Sequence, residues 1–148
     1  MKKFSFSLDK VLDYKTQIEE NLRNEHAVTV KAVRDQEAQV HAIEAEQQEQ
    51  ILRFEEKKQH EAISPHDFRI YQAYFGNLSQ ALRREEDKLE ELSRVEEAKR
   101  AEDIAAKQDR ASIDMLKDKK RAEYNAAVQK DEELLIEEFV SNVSSRHA

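Results

Sequence analysis

From Leu8 onward the large apolar residues recur at alternating steps of three and four. In the first part of the chain the stripe is Leu8, Val11, Leu12, Ile18, Leu22, Val33, Val40, Ile43 and Phe54, and Lys15, His26, Thr29, Gln36, Gln47 and Gln50 hold other positions of the register. A repeat near 3.5 belongs to a helix packed along one side against another helix, and the polar members thin that seam. Ile18, Leu22 and His26 make two successive steps of four, a stutter that locally relaxes a supercoil. Phe6 stands before Ser7, with Val11 four residues after that cap, which is the spacing of a hydrophobic staple. The first helix is therefore expected over about 8–60.

The strongest break is Ile63-Ser64-Pro65-His66-Asp67. Ser64 suits an N-cap, Pro65 the first helical position, and Asp67 stands three residues after the cap. A turn over about 61–64 and a second helix over about 65–143 follow, with a short tail at 144–148 in a single coiled-coil domain. The second stripe runs Phe68, Tyr71, Phe75, Leu78, Leu82, Leu89, Leu92, Ala106, Ile113, Tyr124, Ala127 and Leu134, with Val95 and Leu116 one residue off it. A connection this short folds two long helices back on each other, so the pattern predicts an all-α, elongated antiparallel two-helix coiled coil whose second helix is the longer. The overhang carries Leu134, Leu135, Ile136, Phe139 and Val140 among five acidic residues, an apolar set that invites a partner.

Composition narrows the alternatives. The 148 residues include one glycine (Gly76) and one proline (Pro65), too few for the many tight turns of sheets and barrels. Charged residues make up 39% and mean hydropathy is −0.93, so a large globular interior is excluded. The interleaving of 25 basic with 32 acidic residues argues against a disordered acidic tail. A net charge of −7 disfavours phosphate backbones and anionic lipid as partners. The opening MKKFSFSLDK lacks the apolar stretch of a secretory signal, which places the chain in the cytoplasm. There are no cysteines, hence no disulfides or thiolate chemistry.

A hairpin of two helices offers no dry concave site for catalysis, so the chain is read as no enzyme, without cofactor or metal. The residues three before the five histidines are Arg23, Ala38, Lys57, Ile63 and Ser144, so the Glu-x-x-His repeat of carboxylate-bridged metal pairs is absent. The basic run Lys117 to Arg121, interrupted by Asp118, reads as a solvated helix face. Tyr74 is less easily explained. It lies off the seam beside Leu78, and with Ala81 it makes a narrow apolar strip that is either a docking patch or incidental surface.

The opening Phe4-x-Phe6-x-Leu8-x-x-Val11-Leu12, the proline-broken hairpin, the segment Tyr71-Gln72-x-Tyr74-Phe75-x-x-Leu78 and the closing Asp131-Glu132-Glu133-x-x-Ile136-Glu137-Glu138 together resemble the FliJ family of the bacterial flagellar protein export apparatus. The resemblance spans nearly the whole chain and rests on the order and spacing of these motifs. It implies an antiparallel coiled coil similar to the central stalk of rotary ATP synthases. It also implies that the end carrying Phe4, Phe6, Leu8, Leu12, Leu134, Leu135 and Phe139 enters the ring of a hexameric export ATPase, promoting its assembly and activity. The family further contacts the cytoplasmic part of the transmembrane export gate, here through Tyr74, Leu78 and Ala81, with the charged Glu85 departing from that pattern, and it binds export chaperones. The implied location is cytoplasmic, at the inner face of the cell membrane beneath the flagellum. The equivalent stalk of a virulence type III secretion system and a generic structural coiled coil are the alternatives.

Overall fold

A computed structural model describes residues 2–147, and two helices account for nearly all of them: α1, Asp9–His60, and α2, Pro65–His147. The two pack antiparallel as a helical hairpin. Cross-helix partners run in opposite directions: Asp9 with Lys117, Glu25 with Lys99, and Lys57 with Asp67. Contacts within the hairpin gather into two compact units, one of Met1–Asn21 with Ile104–Ala148 and one of Leu22–Asp103.

The turn forms as its residues dictate. The Ser64 hydroxyl accepts the Asp67 N–H at 3.1 Å, and the Ser64 carbonyl accepts the first α-helical bond, from Phe68 N–H at 3.0 Å. Pro65, which has no N–H to lose, occupies the first helical position. At the other start the cap lies one residue later than Ser7: Leu8 carbonyl accepts the Leu12 N–H, while Phe6 carbonyl closes a tight turn with Asp9 N–H. The far end also differs from expectation. Residues 144–147, expected as a tail, continue α2, because neither glycine nor proline stops it and Arg146 and His147 complement the negative end of the helix dipole.

Each helix has one helical neighbour, so little can be sealed from water. Only Phe6, Leu12, Val40 and Ala106 are buried among the apolar residues described, and Glu19, Gln36 and Glu96 are buried beside them. Much of the predicted seam is half-buried, with Ile18, Leu22, Val33, Ile43, Leu82, Leu89 and Leu92 so placed, but Val11, expected on the stripe, is 39% exposed, the adjacent Leu12 taking the buried position. Phe68 is a correction: it is 47% exposed, because it stands at the open end of the turn, with its ring 6.3 Å from that of Phe54.

The buried polar residues are paired across the seam. In the second unit Gln36 Nε2 donates to the Glu85 backbone carbonyl at 2.9 Å and to its carboxylate. His26 Nε2 lies 3.0 Å from Glu96 Oε1, which also accepts from Arg100. In the first unit Arg110 spans from Glu19, at 2.6 Å, to Asp114, at 2.7 Å. No buried side-chain nitrogen or oxygen among the described residues lacks a partner, which removes the main cost of polar burial.

Two predictions follow from this packing. A Cβ added at Gly76 meets nothing within 4 Å, and the residue sits in mid-helix; Gly76→Ala should stabilise the fold by about 1 kcal/mol, read as a raised midpoint in thermal or urea unfolding. The His26 hydrogen bond, with help from Arg100, holds the Glu96 carboxyl below its ordinary 4.5. A group depressed on folding contributes stability above its unfolded pKa and loses it as pH falls through the folded one. Glu96→Gln should therefore flatten the acid limb of the stability profile below about pH 4.5, measured by circular dichroism during denaturant titration.

Candidate interaction surfaces

The first surface lies in the unit of residues 1–21 and 104–148. Ahead of α1, residues 2–6 form an extended arm laid on α2. The Phe4 ring is 5.5 Å from Tyr124 and takes the Arg121 guanidinium over its face at 4.8 Å, while Tyr124 donates its hydroxyl proton to the Lys2 carbonyl. Phe6 is buried, and with Lys2, Phe4, Ser7, Lys120 and Tyr124 it lines an open cavity of about 690 Å³. Phe4, Phe6, Leu8 and Leu12 are thus engaged within their own unit: Phe6 and Leu12 are buried, and Phe4 and Leu8 are half-buried.

Beyond Val128 the situation reverses, because every residue from Gln129 to His147 is exposed. Leu135 is 66% and Phe139 69% exposed, and Leu134, Ile136 and Val140 are each more than half exposed. At 100° per residue Leu135, Phe139, Val143, Ile136 and Val140 fall within one arc of about 140°, wide enough for a helix to bury against a partner. This arc does not continue the α1 seam. The positions that would extend the seam are taken by Asp131, Leu134 and Glu138, so Leu134, expected on the seam, is exposed and stands apart from the other apolar residues. Sequence reasoning named Leu134, Leu135 and Phe139 here and missed Val143 as a member of the face. The 136, 140, 143 spacing was its signal.

The acidic residues of this end are bare as well. Elsewhere ion pairs link neighbouring turns or the two helices, as at Arg53 with Glu49 and Lys99 with Glu25. Among Asp131, Glu132, Glu133, Glu137 and Glu138 the structure records only a hydrogen bond from Gln129 to Glu133, at 3.3 Å.

The second surface is in the unit of residues 22–103. Tyr74 is 37% exposed, and Leu78 and Ala81 beside it are half-buried against α1. The Tyr74 hydroxyl donates to Glu46 Oε1 at 2.7 Å, and Gln50 donates to the same oxygen. That bond pushes the Tyr74 phenol up from 10.0 and lowers the Glu46 carboxyl. Tyr74 is therefore a bridge between helices that stays partly exposed, and Glu46 is the partner that the apolar pattern could not reveal. Phe75, Tyr71 and Phe54 cluster beside it, with Phe54 edge-to-face against Tyr71 at a centroid distance of 5.0 Å and against Phe75 at 6.0 Å.

Among the described residues no group of three histidine, aspartate or glutamate side chains is placed to hold a metal ion, and no helix is long and apolar enough to cross a membrane. A family model described as Flagellar FliJ protein matches residues 4–148. No curated protein and no solved structure compared with the chain matches it.

Proposed function

We propose that this chain, which belongs to the FliJ family of flagellar export proteins, is a non-catalytic stalk whose terminal end inserts into the ring of a hexameric export ATPase. There it promotes assembly and activity of the ring and links it to the cytoplasmic part of the transmembrane export gate. The ring hydrolyses ATP; the stalk supplies shape and contact. The observation that carries this reading is the bare end of α2, where nineteen consecutive residues are exposed and five of them form one apolar arc. An apolar arc of that width is unfavourable in water and is covered when a partner binds.

In this reading the ring meets Leu135 and Phe139, with Leu134 on the adjoining side. The arm residues Phe4, Phe6, Leu8 and Leu12 act indirectly by holding α1 and α2 together below that end. The gate is met through Tyr74, Leu78 and Ala81, and the Glu46 bond restrains the partly exposed Tyr74 side chain so that little side-chain entropy is lost on docking. Export chaperones are further partners in this reading, and the protein works in the cytoplasm at the inner face of the membrane. The flagellar assignment is favoured over a virulence secretion stalk by the family match across residues 4–148.

Charged replacements at the end test the first contact. Leu135→Glu with Phe139→Glu should abolish stimulation of the cognate ATPase in a steady-state phosphate-release assay and leave helical circular dichroism unchanged; undiminished stimulation would remove the insertion assignment. For the second contact, Leu78→Glu should weaken binding to the soluble gate domain by about tenfold or more in calorimetry, an effect of at least about 1.4 kcal/mol, while ATPase stimulation persists.

A further inference from the structure

The arm ahead of α1 is an extended segment with no strand beside it. Burial alternates along it: Lys3, Ser5 and Ser7 are exposed, while Phe4 is half-buried and Phe6 buried, the period of two of an extended chain. Its backbone is tied at two points, where the Lys2 carbonyl accepts from the Tyr124 hydroxyl and the Phe6 carbonyl from Asp9 N–H. Between them the N–H and carbonyl groups of Lys3, Phe4 and Ser5 bond to no other described residue. Open backbone groups on an extended segment are a template on which a second extended segment can pair. The side chains around the arm say what that segment carries. Residues 2–10 and 117–124 hold seven basic residues against three acidic, in a chain of net charge −7. Of the acids, Asp9 is matched by Lys117 at 2.8 Å and Glu123 by Lys120 at 3.6 Å. Lys2 and Lys3 are exposed and without an ion pair among the described residues. Together with Lys120 they line the open cavity whose apolar wall is Phe4, Phe6 and Tyr124.

We propose that the arm, from Lys2 to Ser7, binds an extended acidic segment of a partner protein as an added β-strand. Main-chain hydrogen bonds to Lys3, Phe4 and Ser5 supply affinity, and the side chains select the sequence. Alternate side chains of the added strand point into the cavity and away from it, so apolar residues cover Phe4 and Tyr124 while carboxylates between them are drawn to Lys2, Lys3 and Lys120. The two ties at Lys2 and Phe6 hold the arm in place before the partner arrives, which lowers the ordering cost of binding. An anionic lipid surface fits the same lysines less well. With Phe6 buried and Phe4 half-buried, neither ring is free to enter a bilayer, and the exposed acidic residues from Asp131 to Glu138 on the same helix would be repelled by one. This contact is separate from ring insertion, which uses the apolar arc at residues 135–143.

The probe is a capped hexapeptide of alternating valine and glutamate, titrated into isotopically labelled full-length protein and followed by nuclear magnetic resonance. It should shift the amide signals of Lys3 to Ser7, leave those of the turn at 61–64 unmoved, and saturate with a Kd below ~1 mM. Lys2→Glu with Lys3→Glu should weaken binding by about tenfold or more, and Lys120→Glu, which leaves the arm intact, should weaken it too. Lys88→Glu, exposed in the other unit, should have no effect. Binding should fade in ~0.5 M salt, where charge pairing is screened. N-methylation along the peptide backbone removes its hydrogen-bond donors and should abolish binding; undiminished affinity would mean attraction of charge alone and would overturn the strand. An arm that stays unshifted at ~1 mM peptide, equal binding of a valine–lysine peptide, or tighter binding of the arm to phosphatidylglycerol vesicles than to the peptide would each overturn the proposal as well.

Discussion

A helix with a single helical neighbour can bury one narrow line of side chains and no more. Everything else in this protein follows from that limit. Among the described residues the seam holds three buried apolar side chains, Leu12, Val40 and Ala106, and three buried polar ones, so hydrophobic area alone does not fix how the helices align. Directional bonds fix it instead. Gln36 can reach the Glu85 carbonyl, His26 can reach Glu96, and Arg110 can reach Glu19 in only one register. An apolar seam gains its stabilisation from area and tolerates sliding; a seam with satisfied polar rungs loses those bonds when it slides.

The same limit explains how α2 changes character along its length. Where α1 lies beside it, apolar and pairable residues face inward and the outer side is charged. Past Val128 the inward positions become Asp131 and Glu138, while the apolar residues rotate onto other faces. A helix that continued its seam pattern would need a longer α1 to cover it. By turning its apolar arc away, this helix offers that surface to molecules approaching from outside the hairpin. The extended arm marks the boundary: Phe4 and Phe6 are spent on Tyr124 and the surrounding seam, immediately before the exposed stretch starts.

The hairpin, its turn and most of its seam were legible in the sequence because they depend on local signals: a three-four repeat, one capped proline and the absence of other breakers. Leu134 and Phe68 were misplaced for a shared reason. Periodicity gives a residue's angle about its own helix and does not say whether a neighbour reaches that far along. The cap at Leu8 was missed because Ser7 is the better capping residue by type, while the arm anchored through Phe6 shifts the first helical bond by one residue. Charged seam members such as Glu19, Glu96 and Arg110 were invisible to an apolar pattern, since each is tolerable only because of a partner 70 or more positions away in the chain. Of the docking strip, Tyr74 was found by its failure to fit the seam, whereas its anchor Glu46 resembles any other solvated glutamate.

The polar rungs of the second unit bear on mechanics as well as on alignment. Gln36 with Glu85, His26 with Glu96, and Tyr74 with Glu46 tie the two helices of this unit together at separate heights. A force drawing one helix lengthwise past the other loads all three in shear at the same moment, and none can break first to relieve the rest. Side-to-side peeling would instead take them singly. Within this unit, a helix pair so braced resists sliding along its axes more than it resists peeling apart.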